Sequence, residues 1–228
     1  MKNRHGRHSH DQQAAMTAYA NILDEARTRI LGINTILSGT ATLPPWLTAE
    51  LGYVQLRMLC ELVALGCLIA HGDIEETGSK KLQKDFSADH IINRLERLHP
   101  NFFPHPITCD FSPASIHIER IESGFLTKAE LLNLYHECGE HLHRGSLSKI
   151  FSPTNPKQPP QIQKVLDWGQ KFSVLLSQHH IASITNRTHY LCFISHHQAN
   201  GNAFVAIAQS SELDQNLILH ESESGNHA

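Results

Sequence analysis

The sequence lacks the patterns that identify several common classes of enzyme and metal-binding protein. It has no glycine-rich phosphate-binding loop, no Gly-x-Ser-x-Gly nucleophile elbow and no His-Glu-x-x-His zinc motif. None of its five cysteines forms a Cys-x-x-Cys pair, which excludes a zinc ribbon, and their odd number argues against a disulfide framework. We therefore expect reduced thiols, a cytoplasmic location, and no cofactor or metal.

A strong charge of one sign is also lacking. The formal net charge of -3 over 228 residues argues against broad electrostatic capture of nucleic acid, and the sequence carries no DNA-binding signature. RNA stays a candidate partner, because a local basic groove needs no net positive charge. The start of the chain is basic and polar without an apolar core segment, so no secretory signal is predicted.

A long apolar run free of charge is lacking as well. The segment Leu51–Ala70 is apolar for most of its length but contains Arg57 and Glu61. A charge near the centre of a membrane span costs roughly 2.5–3.5 kcal/mol on the insertion scale, and two would cancel most of the gain from the leucines. We predict a buried helix here and no membrane partner.

What the sequence has in excess is histidine, with 18 residues, which makes its net charge sensitive to pH below about 7. Its length fits one domain with a sizeable apolar core. We predict a disordered basic and histidine-rich tail over residues 1–11, a single helical domain over 12–208, and a disordered acidic tail over 209–228.

Apolar periodicity predicts a mainly α fold, a bundle of about five helices with a small C-terminal β-hairpin. The hairpin is indicated by the turn dipeptide Asn200-Gly201 between two strand-like runs. Thr127 and Glu130 form a capping-box pattern that fixes the start of one helix. Apolar residues recur with the helical period over about 12–37, 46–70, 87–98, 127–144 and 161–179.

The decapeptide Tyr135–Arg144 contains three histidines, two glutamates, a cysteine and an arginine within about three helical turns. Such a density of titratable groups is where a site would be sought first. Unrolling the helix at about 100° per residue predicts that Glu137 points mostly to water. It also lets His136, Glu140 and His143 converge at the border of the core face. The residues predicted to face the core are Leu131, Tyr135, Cys138 and Leu142.

A second polar pair lies in the apolar helix. Arg57 and Glu61 are four residues apart and therefore share one face. Because burying either charge alone would cost several kcal/mol, we expect them to pair or to meet polar groups of another helix. Two interpretations are open: a structural buried pair, or one wall of a cleft with residues 135–144 as the opposite wall.

These two features together resemble those of a known group of proteins. Arg57-x-x-x-Glu61 in a long apolar helix, followed by Tyr135-x-x-Cys-Gly-x-x-Leu-His-Arg-Gly145, resembles uncharacterised bacterial helical proteins similar to the HEPN superfamily. The resemblance covers about residues 15–180. It implies a helical bundle that dimerises with its polar groups near the two-fold axis. The superfamily includes metal-independent ribonucleases of toxin and phage-defence systems and inactive, structural members.

Three functions are compatible with these residues. The first is a cytoplasmic, HEPN-like binding or regulatory module that forms a homodimer and binds its ligand through Tyr135, His136 and Glu140. The second is a metal-independent endoribonuclease. Its candidate catalytic residues are His143 as general acid or base, Arg144 or Arg57 for the phosphorane charge, and Glu61. The weakest is a metal-dependent hydrolase using His136, Glu140 and His143, so whether any reaction is catalysed stays open.

Overall fold

The computed structural model of the chain describes residues 4–38, 43–72, 74, 77, 82–85, 87–112, 115–143, 161–185, 187–210 and 217–220. In this part of the chain the helices are α1 (Arg4–Leu37), α2 (Pro45–Ala70), α3 (Ala88–Leu98), α4 (Lys128–Leu142) and α5 (Ile162–Ser177). The strands are β1 (His105–Ser112), β2 (Ser115–Arg120), β3 (Gln178–Ala182), β4 (Thr188–Phe193), β5 (Phe204–Ser210) and β6 (Leu217–His220). They form one antiparallel sheet in the order β2-β1-β3-β4-β5-β6.

The mainly helical prediction is confirmed, but the sheet is larger than the predicted hairpin. That hairpin is present as β4 and β5, and its loop turns through Asn200 and Gly201 at φ 52° and 82°. The left-handed region suits asparagine and glycine, which explains the turn signal. The sequence also predicts a short strand around Ile116 and Ile118, and β2 lies there. The remaining strands, β1, β3 and β6, are additions that the sequence pattern did not predict. One of them, β3, follows α5 without an intervening residue.

Helix α2 is the centre of the bundle and packs against each of the four other described helices. Its glycines allow close approach: a methyl group at Gly52 would lie 2.5 Å from Val165 Cγ1 of α5, and one at Gly66 would lie 3.1 Å from the Tyr19 ring of α1. Among the described helices α2 alone is long and apolar enough to cross a membrane by length and composition, and 56% of its most apolar window is buried within the protein. These contacts make α2 a core helix of the bundle.

The sheet carries apolar side chains on both of its faces. On one face, Ile181, Cys192 and Val205 join the core formed with the helices, and the Tyr19 hydroxyl of α1 is hydrogen-bonded to His179 Nε2 at 2.8 Å. Because side chains alternate along a strand, the intervening residues lie on the opposite face. There they form a second buried cluster of Ile107, Leu191, Phe193 and Ala206.

The ends of the described chain differ from the prediction. Residues 4–11, expected in a disordered tail, form the first turns of α1. Strand β6 lies within 209–228, the segment expected to be a disordered acidic tail. The prediction of a single domain over 12–208 stays a prediction.

Candidate functional site

Helix α4 begins where the capping-box pattern predicted. Thr127 Oγ1 accepts a hydrogen bond from the Glu130 amide at 3.3 Å, and the Glu130 carboxylate accepts one from the Thr127 amide at 2.9 Å. Lys171 of α5 also donates to this carboxylate. Burial alone would raise the pKa of Glu130, but hydrogen bonds from Lys171 and Thr127 hold it below its ordinary value. This end of α4 is therefore anchored both locally and to α5.

The predicted core face of α4 is confirmed. Leu131, Tyr135 and Cys138 are buried, and Leu142 packs against the core at its edge. The opposing side chains come from α2, where the Cys60 thiol contacts the Leu131 carbonyl oxygen at 3.9 Å. We refer to this contact between the two helices as the α2–α4 interface.

Arg57 and Glu61 lie in the α2–α4 interface and form the expected pair. Arg57 Nε is 3.3 Å from Glu61 Oε1, and the two side chains remain 29% and 17% exposed. Arg57 Nη2 donates to the Tyr135 hydroxyl at 2.9 Å, and its guanidinium carbon lies 4.3 Å from the centre of the Tyr135 ring. Arg57 also reaches the backbone of α4, since a methyl group added at Gly139 would lie 3.6 Å from Arg57 Nη1 in ordinary van der Waals contact. One arginine thus links the α2 carboxylate to α4.

The prediction that Glu137 points to water is wrong. Its side chain is only 20% exposed and turns towards α2 and α5. Glu137 Oε1 accepts hydrogen bonds from the Tyr53 hydroxyl at 2.6 Å and from Lys164 Nζ at 2.8 Å. His141 Nε2 lies 3.7 Å from the same oxygen, and its ring centre is 4.2 Å from that of Tyr53.

The electrostatics of this group follow from its contacts. Burial alone would raise the pKa of Glu137, but the hydrogen bonds from Lys164 and Tyr53 hold it below its ordinary value. Burial raises the pKa of Tyr53, and the carboxylate of Glu137 raises it further. The group is therefore an ionised carboxylate held by a neutral phenol and a lysine.

Sequence reasoning placed Tyr53 on or near the Arg57 face of α2 but did not pair it with Glu137. It also missed Lys164 as a partner of α4. Tyr53 stands one turn before Arg57 on α2, so its spacing from an arginine predicted to meet another helix was a usable signal. Nothing in the sequence around Lys164 indicated its contact, because that depends on how α5 crosses α4.

The remaining predicted site residues lie on the outer side of α4. His136, Glu140 and His143 are exposed. Of these, His136 lies close enough to Asp89 of α3 to act on it electrostatically. In the described ranges, no group of three or more His, Cys, Asp or Glu side chains is placed to hold a metal ion, so their geometry does not support the metal-dependent hydrolase. Arg144 lies outside the described residues.

Two cysteines in the α2–α4 interface could be considered as nucleophiles. Burial raises the pKa of the Cys138 thiol to about 12 and also raises that of Cys60. A thiol with such a pKa is almost wholly protonated at neutral pH, and the thiolate is the reactive form. Neither cysteine is therefore prepared for nucleophilic catalysis.

The site can be summarised as two polar groups in one helix contact. Arg57, Glu61 and Tyr135 form one, and Glu137 with its partners, His141 among them, forms the other. The exposed predicted site residues of α4 are His136, Glu140 and His143. Comparison of the chain with protein-family models found no match, and comparisons with curated proteins and with solved structures gave no significant match either. The HEPN-like resemblance stays a prediction, and the functional argument below depends on the geometry of the described residues.

Proposed function

We propose that this protein is a cytoplasmic binding or regulatory module of HEPN-like type that acts as a homodimer, and that its α2–α4 interface is structural. The supporting observation is that the described polar groups of that interface bind one another. Arg57 is bound to Glu61 and Tyr135, and Glu137 is bound to Tyr53 and Lys164.

This mutual binding disfavours catalysis by the same groups. A general base works best with a pKa near the operating pH, whereas the pKa of Glu137 lies below its ordinary value. Freeing its carboxylate would also break hydrogen bonds that are each worth roughly 1.5–3 kcal/mol. The interface is better suited to holding α4 in place than to reacting.

The exposed side of α4 is the surface that we assign to binding. It carries His136 and Glu140 one turn apart, beside the Tyr135 ring held by Arg57. A two-fold interface places the same surface on both copies, so that residue i faces j and j faces i. When two α4 helices pack antiparallel with the two-fold axis at the level of residue 138, each His136 faces the Glu140 of the other copy. The surface formed by His136 and Glu140 is therefore complementary to itself, which favours a second copy of the chain as the partner.

Sedimentation equilibrium of the full chain tests this assignment. We expect a dimer that is weakened by Glu140→Lys, which places like charges opposite each other when His136 is protonated. The double variant His136→Glu with Glu140→His exchanges the two groups and should restore the dimer. Glu119→Lys makes the same charge change at an exposed position of β2 and serves as the control. A monomer at all concentrations, or a dimer indifferent to Glu140→Lys, would overturn the assignment.

Endoribonuclease activity is the competing function, because the partly exposed Arg57 guanidinium could receive a phosphate. Mixed RNA incubated in EDTA with the wild-type protein, His143→Ala and Arg57→Lys separates the two functions. We expect no cleavage by any of the three. Robust cleavage that is lost in either variant would replace the module by a nuclease.

A further inference from the structure

Three histidines form a cluster on the sheet face that points away from the helices. His105 of β1 and His180 of β3 are direct partners in the strand register. His180 Nε2 is hydrogen-bonded to His189 Nδ1 of β4 at 3.0 Å, and the two rings stack with their centres 5.2 Å apart. The histidine cluster therefore spans three neighbouring strands, with His180 in the middle.

Besides the histidines themselves, one cation and one carboxylate of the described chain act on His105 and His180. Burial, His189 and Arg120 of β2 together lower the pKa of His180 to about 4. Burial and Arg120 lower the pKa of His105, and Glu122 offsets part of this decrease. Among the described residues, Glu122 acts on His105, and His180 is influenced by Arg120 and the two neighbouring histidines. Protonating His105 and His180 would place two positive charges next to each other and close to Arg120.

The histidine cluster lies where β1 pairs with β3, which is the strand pairing with the fewest residue pairs in the described sheet. The β1–β3 ladder has two residue pairs, His105 with His180 and Pro106 with His179, whereas β1–β2 and β4–β5 have six pairs each. Pro106 has no N–H to donate to the ladder. The Gln178 side chain adds one bond, accepting from the Cys109 amide at 2.9 Å. The β1–β2 hairpin is therefore attached to the rest of the sheet by very few hydrogen bonds.

We propose that acidification detaches the β1–β2 hairpin from β3 by charging His105, His180 and His189 together. In the closed sheet His105 and His180 resist protonation. When the hairpin leaves, both imidazoles lose burial and their pKa values move towards the ordinary value of about 6.5, while His189 stays beside His180. The detached form therefore binds more protons below that pH. The closed form is favoured above about pH 6.5 and loses stability as the pH falls towards 4. Detachment would expose Ile107, which is 2% exposed in the closed sheet.

Hydrogen–deuterium exchange of the full chain at pH 7.5 and pH 5.0, corrected for the intrinsic exchange rate, measures this opening. Complete relief of the His180 shift, from about 4 to about 6.5, would change the opening constant roughly 30-fold at pH 5, and His189, which stays beside His180, makes this an upper value. We expect an increase of up to that size in β1 and its junction with β3, while β4 and β5 stay protected. His180→Gln and His189→Gln should each reduce the pH effect.

His117→Gln is the matched control, because His117 is exposed on β2 of the same hairpin and its partner Asp110 places it on the opposite face. Circular dichroism at pH 7.5 checks that each variant is folded, and either of the two cluster variants suffices for the test. Faster exchange in all strands together would show global unfolding and overturn the proposal. So would an unchanged pH effect in a folded cluster variant, or an equal reduction by His117→Gln.

Discussion

The Tyr53 hydroxyl donates a 2.6 Å hydrogen bond to the Glu137 carboxylate, and this bond joins α2 to α4. The same oxygen, Oε1, accepts a second bond from Lys164 of α5 at 2.8 Å. One carboxylate oxygen therefore fixes the relative position of three helices. A group with this role should contribute to stability, which the first prediction tests.

Glu137→Gln should lower the free energy of unfolding by about 1.5–3 kcal/mol, because it removes the charge that strengthens both bonds. Since the folded pKa of Glu137 lies below its ordinary value, its contribution is present above about pH 4.3 and is lost as the pH falls. Urea denaturation at pH 7 and at pH 3 measures both effects. Glu119→Gln, at an exposed position of β2, should change stability by less than about 0.5 kcal/mol.

A double-mutant cycle combining Tyr53→Phe with Glu137→Gln isolates the bond between them. We expect the two losses to be clearly non-additive, since both variants remove the same interaction. Strictly additive losses would show that the hydroxyl and the carboxylate contribute independently, contrary to the geometry.

Gly52→Ala should destabilise the protein by about 1–3 kcal/mol, because the added methyl group would overlap Val165 Cγ1 at 2.5 Å. Gly32→Ala is the matched control: it lies within α1 with nothing within 4 Å of its added methyl group. That control should stabilise by about 0.5–1 kcal/mol through the higher helix propensity of alanine. Thermal unfolding of both variants measures these changes in stability. A Gly52→Ala protein as stable as the wild type would refute the close packing of α2 on α5.

Arg57→Leu should be more damaging than the double variant Arg57→Leu with Glu61→Leu. The single change leaves the Glu61 carboxylate, only 17% exposed, without its cation. Removing one partner of such a pair costs more than replacing both by apolar residues. Denaturant unfolding of the two variants and of Glu61→Leu gives the comparison. A double variant that loses the full sum of the single losses would contradict the pairing.

Cys109 should react with a thiol reagent at pH 8 before the other four cysteines, which are fully buried. Burial raises the pKa of Cys109 only to about 11, compared with about 12 for Cys138. Timed alkylation with mass spectrometry gives the order of modification. Cys109→Ser should remove the fast phase, and a fast phase that persists in this variant would place the reactive thiol elsewhere.

The elements predicted best are those whose signals are local. The start of α4 depends on Thr127 and Glu130, three residues apart, and the β4–β5 turn depends on Asn200-Gly201. Strand β3 was missed because it continues directly from α5 and pairs with β1 and β4, which are distant in sequence. A strand whose stability comes from such partners carries little local signal.

The same distinction explains the outcome for the site. The pairing of Arg57 with Glu61 follows from their spacing on one helix, and it was predicted. The orientation of Glu137 depends on Tyr53 and Lys164, which come from two other helices. Helical rotation gives the direction of a side chain on its own helix but not the position of its neighbours.

The short pairing between β1 and β3 also has a consequence for the order of folding. The Cys109 amide and the Gln178 side chain, which bond across it, are 69 residues apart in the chain, whereas β1–β2 and β4–β5 join strands that are close in sequence. Local pairings close small loops and form quickly, while distant pairings must first overcome the entropy of a long loop. The two hairpins should therefore form separately and be joined late. Assembly of the sheet would then end at the same pair of strands where its proposed acid opening begins.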